Sequence, residues 1–157
     1  DMVAEQDGKV VNDVDSTYRR SRIRWLPRDS TTEFLYARIS TLVKRANEAC
    51  WHFDLIGFGE QIQLSVYEAG DKGFYDWHMD CGETSNYRKI SVSIQLSSPS
   101  AYDGGKLQFF TSRCVRNAPN RQGDMILFPS YLMHRITPVT RGQRQSLVVW
   151  ITGHPFR

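Results

Sequence analysis

Apolar side chains recur at every second residue in five separate stretches: Ile62, Leu64, Val66; Ile90, Val92, Ile94, Leu96; Leu107, Phe109; Ile126, Phe128; and Leu147, Val149, Ile151. A period of two is the mark of a strand with one buried face. Turn-forming clusters at Gly70–Gly73, Pro99–Gly105, Asn117–Asp124 and Thr140–Gly142 separate the stretches, which is the spacing of an antiparallel sandwich or barrel. The positions between the apolar ones are polar but mostly uncharged: Gln61, Gln63, Ser65 and Tyr67 on one strand, Ser91, Ser93 and Gln95 on another. In an open sheet such a face is simply wet, whereas in a barrel it lines a cavity for a small polar ligand. The pattern allows both.

Upstream the period changes. Leu35, Ile39, Leu42, Val43 and Ala46 recur at helical intervals, and Ser30 and Glu33 have capping-box spacing, which predicts a helix over 31–48. Before it, Arg19, Arg20, Arg22, Arg24 and Arg28 interleave with Ile23, Trp25 and Leu26, predicting an edge strand whose arginines face solvent. A solvated face accounts for them, and a surface for an acidic partner is the functional alternative. Residues 1–15 carry five acidic groups against the single Lys9 and few large apolar ones, and are expected to fray. The expected layout is one domain over 1–157, with a strand and supporting helix at 16–60 and the barrel at 61–153.

Composition narrows the classes. With 40% hydrophobic, 12% aromatic and 24% charged residues in 157, the chain is neither low-complexity nor fully disordered. Twenty Lys and Arg against 17 Asp and Glu leave +3, too balanced for a dedicated nucleic-acid or membrane binder. No apolar run approaches the ~20 residues that span a bilayer, and none near the start has the character of a signal peptide. The expectation is a soluble, intracellular, cytoplasmic protein. Cys50, Cys81 and Cys114 are odd in number and scattered, which predicts reduced thiols rather than a disulfide framework or zinc cluster.

The candidate chemistry lies at His78 and Asp80, two residues apart, a spacing that on a strand sends both side chains to one face. His134, near a later strand, supplies a third ligand. Two imidazoles and one carboxylate on one side of a metal leave three adjacent positions open, the facial triad of non-haem Fe(II) oxygenases. Ten residues further, Arg144 opens the last alternating strand, where a guanidinium can pair bidentately with a carboxylate inside a barrel. Arg141 is the rival for that role, because Gly142 leaves open whether the strand already includes it.

His-x-Asp, a gap of about fifty residues, then His and an Arg ten further on resembles the 2-oxoglutarate and Fe(II)-dependent dioxygenases, and within them the prolyl 4-hydroxylase-like branch that includes the PKHD-type hydroxylases. The similar stretches are Tyr67-Glu68-Ala69-Gly70, Tyr102-Asp103-Gly104-Gly105-Lys106-Leu107, Gly123-Asp124-Met125-Ile126-Leu127-Phe128-Pro129-Ser130 and His134-Arg135-Ile136-Thr137-Pro138-Val139-Thr140-Arg141-Gly142, in order across roughly 62–152. The resemblance implies a mainly β fold with flanking α: a double-stranded β-helix (jelly-roll, cupin-like) barrel buttressed by an N-terminal helix. It implies that His78, Asp80 and His134 ligate iron, that Arg144 binds the C5 carboxylate of 2-oxoglutarate, and that Tyr67 hydrogen-bonds the cosubstrate. At Gln95, where many prolyl hydroxylases carry a second tyrosine, a glutamine stands that can still donate.

The implied activity is hydroxylation of a peptidyl or protein residue, proline favoured, with decarboxylation of 2-oxoglutarate to succinate and CO2. Fe(II) is the cofactor, 2-oxoglutarate and O2 the cosubstrates, and ascorbate a possible stimulant. Oxidative demethylation of nucleic acid is the rival on the same core, but that branch carries an Arg-x-Asn-x-x-x-Arg pattern that Arg141-Gly142-Gln143-Arg144 does not supply. Free amino acids, other small molecules and a non-catalytic metal-binding barrel are the remaining alternatives. Single residues have plainer readings. His52 and His154 lie in no motif, Cys81 turns away from the metal as a packed thiol, and the arginines at 113, 116 and 121 fit a solvated loop or a guide for anionic substrate. Tyr75 and Trp77 are core or rim residues, or border the substrate entrance.

Overall fold

The computed structural model describes residues 11–12, 17–82 and 85–155. In chain order the elements are β1 (Val11–Asn12), β2 (Arg19–Arg20), β3 (Arg22–Leu26), α1 (Glu33–Cys50), β4 (Leu55–Phe58), β5 (Ile62–Glu68), β6 (Phe74–His78) and β7 (Arg88–Gln95). They continue with β8 (Tyr102–Gly104), β9 (Leu107–Thr111), β10 (Cys114–Asn117), β11 (Met125–Pro129), β12 (His134–Ile136) and β13 (Val139–Gly153). A large sheet runs β1-β3-β5-β13-β7-β11, with β4 and β8 also paired to β13, and a second sheet runs β10-β9-β12-β6-β2. Every pairing is antiparallel. This is the double-stranded β-helix with one supporting helix that the sequence predicts.

The alternating apolar positions face α1. Ile62, Ile90, Val92, Leu147, Val149 and Ile151 pack with Tyr36, Ile39 and Val43 of the helix into one buried cluster. Spacing of three and four residues puts those helical side chains on one stripe. Leu42, expected in that stripe, is exposed. Tyr36 joins it instead, its hydroxyl donating to Leu26 O at 2.8 Å and accepting from Ile62 N at 3.1 Å, and so ties the helix to two strands. The polar positions on the opposite face are also buried: Gln63, Ser65, Ser91, Ser93 and Gln95. They point into the barrel, which settles the choice between a wet sheet and a lined cavity.

Three expectations change. The helix starts at Glu33 and no capping box forms, because Asp29 Oδ1 accepts from Thr31 N and Thr32 N while Glu33 pairs with Arg28. The stretch Thr140–Gly142 does not end a strand. β13 runs through it, with Gly142 at φ 68°, where a Cβ would stand 2.0 Å from Ala101 O. Arg19 is buried rather than solvent-facing, and the strand Arg22–Leu26 lies between β1 and β5 rather than at an edge. The fraying expected of residues 1–15 lies outside the described residues, apart from the backbone pairing of β1 with β3. Among the described residues no helix is long and apolar enough to cross a membrane.

Candidate active site

His78 closes β6 and His134 opens β12, and the antiparallel register sets them directly opposite each other. Their ring centroids lie 4.1 Å apart. Asp80 is placed differently from expectation: β6 has ended, so alternation along a strand does not aim it. A backbone bond from Asp80 N to Ser130 O, 2.9 Å, turns the chain so that the carboxylate returns to the histidines. Nε2 of His78 is 3.7 Å from Asp80 Oδ1, and Nε2 of His134 is 3.5 Å from Oδ2. All three side chains are buried, and their ligand atoms lie within 4.8 Å of one another. No other such cluster gathers among the described residues.

Each imidazole is oriented by its own backbone. His78 Nδ1 donates to Asp76 O at 2.7 Å and His134 Nδ1 donates to Leu132 O at 2.8 Å. In the neutral tautomer this puts the proton on Nδ1 and leaves the Nε2 lone pair facing the carboxylate. Burial, with the neighbouring His134 adding to it, pulls the His78 pKa down to about 4 although Asp80 opposes the shift. The Nε2 atoms of two imidazoles and a carboxylate thus converge in a buried space. A divalent cation resolves that convergence, and a two-nitrogen, one-oxygen donor set suits Fe(II).

Behind and beside the triad is a cavity walled by both sheets. β5 contributes Gln63 and Tyr67, β13 contributes Arg144, Ser146, Val148 and Trp150, and the second sheet adds Arg19, Tyr75, Leu107 and Ile136. Arg144 is 3% exposed, donates to Ser146 Oγ at 3.2 Å, and lies 5.6 Å from the centre of the Tyr67 ring. Burial lowers its pKa, while Tyr67 and Tyr102 act to raise it. Among the described residues no carboxylate pairs with it, and a buried cation without a counter-charge is costly. It is therefore poised for an anionic group. Gly105 (φ 53°) makes room: a Cβ there would stand 2.9 Å from Arg144 Cδ.

The other candidates separate cleanly. Arg141 is exposed and bonded to Asp103 at 2.6 Å, away from the cavity. Tyr67 lines the cavity. Gln95 is buried behind it, its amide donating to Tyr102 Oη at 2.9 Å and to Ser97 O at 3.3 Å. Tyr75 stacks on His78 with centroids 3.6 Å apart, and burial raises its phenol pKa. Trp77 instead packs against Phe110 and under Arg135. His154 is 4.0 Å from Asp54 and Cys81 Sγ faces Asn86 O. Cys114 and Arg116 sit on the exposed strand β10, and Arg113 and Arg121 in exposed turns.

Arg19 escaped the sequence reading, because an arginine in an Arg-rich alternating segment reads as a solvated face. Its guanidinium lies 4.7 Å over the Tyr75 ring and lines the cavity. Arg88 was missed too. It lies 4.0 Å over the Trp150 ring, pairs with Glu60, and donates to Asp80 O at 3.3 Å. Nothing in a linear pattern signals that such a charge is enclosed.

The family description "2OG-Fe(II) oxygenase superfamily" matches residues 62–152. A PKHD-type hydroxylase of Teredinibacter turnerae is 39% identical over 95 residues, covering 57% of this chain and 41% of the relative, so the chain spans about two fifths of that relative's length. Among solved structures, a Pseudomonas putida prolyl-4-hydroxylase shares the fold with a TM-score of 0.75 at 23% identity, over 91% of this chain and 77% of that one. A Trichoplax adhaerens prolyl hydroxylase in complex with a hypoxia inducible factor peptide fragment also aligns, with TM-score 0.75 and 18% identity, over 88% of this chain and 65% of that one.

Proposed function

Because the chain belongs to the 2OG-Fe(II) oxygenase superfamily, we propose that it is a 2-oxoglutarate- and Fe(II)-dependent dioxygenase that hydroxylates a peptidyl or protein residue, with proline the first choice. The observation that carries this reading is the meeting, in one cavity, of the buried His78, Asp80 and His134 with the buried, carboxylate-free Arg144. His78, Asp80 and His134 would hold Fe(II). When bound, Fe(II) with 2-oxoglutarate and O2 supplies the oxidation: one oxygen atom enters a C–H bond of the substrate and the other enters succinate as CO2 leaves.

The residues of the chain provide position and exclusion. Arg144 takes the distal carboxylate of 2-oxoglutarate through charge-assisted hydrogen bonds. Tyr67, opposite Arg144 in the β5–β13 ladder, forms the adjoining wall. Phe128, Leu107, Ile136 and Val148 keep the cavity apolar between the two polar ends, which strengthens electrostatic contacts by excluding water. Support for a macromolecular substrate comes from the surface beside the triad. Tyr18, whose ring is 6.4 Å from that of His78, and Met79, between the two ligands of the His-x-Asp, are large side chains left exposed. Exposed apolar groups gathered next to a site mark a docking surface. The Trichoplax neighbour that holds a peptide has the same fold.

The test is succinate formation from 2-oxoglutarate by anaerobically prepared protein, with and without Fe(II) and O2, against proline peptides and free proline. Turnover that needs both and rises with a peptide is the expected result, and Asp80→Ala should abolish it. Metal binding with no turnover would overturn the oxygenase reading. Iron-dependent turnover raised only by free amino acids or nucleic acid would keep the chemistry and overturn the peptide.

A further inference from the structure

Asp80 stands two residues past the end of a strand, where a carboxylate has two rotatable bonds and no neighbouring ladder to aim it. Two segments distant in the chain take hold of it, the turn after β11 through its backbone and β7 through its side chain. Asp80 N and Cys81 N donate to Ser130 O at 2.9 and 3.0 Å. Ser91 Oγ donates to Asp80 Oδ2 at 2.6 Å and lies 3.0 Å from Ser130 Oγ. A hydroxyl has one proton. Since Ser91 commits its own to the carboxylate, the proton between the two serines belongs to Ser130, and the chain runs Ser130 to Ser91 to Asp80.

Both serines are anchored. They are fully buried, Ser91 is paired with Phe128 in the β7–β11 ladder, and Ser130 N donates to Lys89 O at 2.9 Å just beyond that ladder. We propose that Ser91 and Ser130 form a hydroxyl relay that positions Asp80 as a metal ligand through one oxygen. Ser91 engages Oδ2 and leaves Oδ1, the oxygen nearer His78, to the cation. The inference rests on the reading of His78, Asp80 and His134 as the metal set. It explains why two hydroxyls are buried here. A carboxylate that chelated through both oxygens would occupy a further coordination position, whereas a carboxylate held by Ser91 leaves three, enough for a chelating 2-oxo acid and O2. Ser91 and Ser130 touch neither metal nor substrate; they are positioning residues.

The test is titration of the metal-free full chain with Co(II), whose visible bands report ligand number and geometry while the same titration gives affinity. Ser91→Ala is expected to weaken Co(II) about 10–100-fold, the usual cost of losing a group that orients a metal ligand, and to alter the band pattern. Ser91→Thr, which keeps the hydroxyl, should restore both. Ser130→Ala, which keeps the backbone carbonyl, should weaken binding by less than Ser91→Ala. Wild-type affinity and spectrum in Ser91→Ala would overturn the relay. If circular dichroism shows that Ser91→Ala does not fold, Ser130→Ala decides, and wild-type behaviour there overturns the relay equally. Asp80→Ala separates the two levels: if it binds Co(II) as the wild type does, the metal reading itself fails, whatever the serines do.

Discussion

The two faces of the central sheet are equally buried and chemically opposite. On β5, β7 and β13 the residues Ile62, Ile90, Val92, Leu147, Val149 and Ile151 press against α1, while Gln63, Tyr67, Ser91, Ser93, Arg144 and Ser146 face into the barrel. Both sets are buried. The first set is held by area removed from solvent and close packing. The second has to satisfy every polar group internally, and it does so incompletely: among the described residues no carboxylate pairs with Arg144, and the triad gathers three metal-ligating groups in one buried place. Burial alone therefore does not tell a core from a site. What tells them apart is whether the buried groups are content with one another.

The contrast can be broken from either side. On the apolar face, Ile90→Ala should cost about 2–5 kcal/mol, because the transfer term and the cavity left behind add. Urea unfolding would show that loss, while Co(II) binding in the surviving folded fraction stays at the wild-type level. A loss of metal affinity without loss of stability would mean that the two faces are not separable. On the polar face, Arg144→Ala should leave the fold intact, since it removes a buried cation without a carboxylate partner. It should weaken 2-oxoglutarate by tenfold or more, equivalent to about 1.5–3 kcal/mol for a charge-assisted contact, measured by calorimetric titration of the metal-loaded protein. Arg141→Ala is the control and should change affinity less than twofold, because Arg141 is exposed and engaged by Asp103. The reverse ranking would reassign the carboxylate.

The gentlest probe is pH. With its folded-state pKa down to about 4, against about 6.5 in an unfolded chain, His78 stays neutral when folded and gains a proton when unfolded between those values. The unfolded state then binds more protons, so this contribution to stability is fully present above pH 6.5 and is lost as the pH falls toward 4. The urea midpoint of metal-free protein should drop between pH 7 and pH 5. His78→Gln should flatten that slope, and an unchanged slope would remove His78 as its source.

Much of this could be read from the linear chain. The period of two located β5, β7, β9, β11 and the C-terminal part of β13, and the period near 3.6 located α1, because in each case a repeating apolar face must meet a core. The spacing of His78, Asp80, His134 and Arg144 was equally readable, since those residue types are seldom gathered by accident beside the stretches that accompany them here. Other features were not. Arg19 and Arg88 look like any surface arginine until a second sheet closes over them. Ser91, in β7, and Ser130, 39 residues on and just past the end of β11, are ordinary serines until the two strands pair. The exclusion of Arg141 depends on the positive φ of Gly142, which lets β13 pass through a turn-like sequence and so decides which arginine points inward.

Local sequence determined the elements, their buried faces and the identity of the reactive groups, because these depend on side-chain type and short-range period. Only the closure of two sheets into a barrel decided which polar residues became a cavity, how Asp80 was turned back to the histidines, and which of Arg141 and Arg144 was enclosed. Those outcomes depend on register and burial between strands distant in the chain, where the energies come from desolvation and cross-strand hydrogen bonds that no local pattern records.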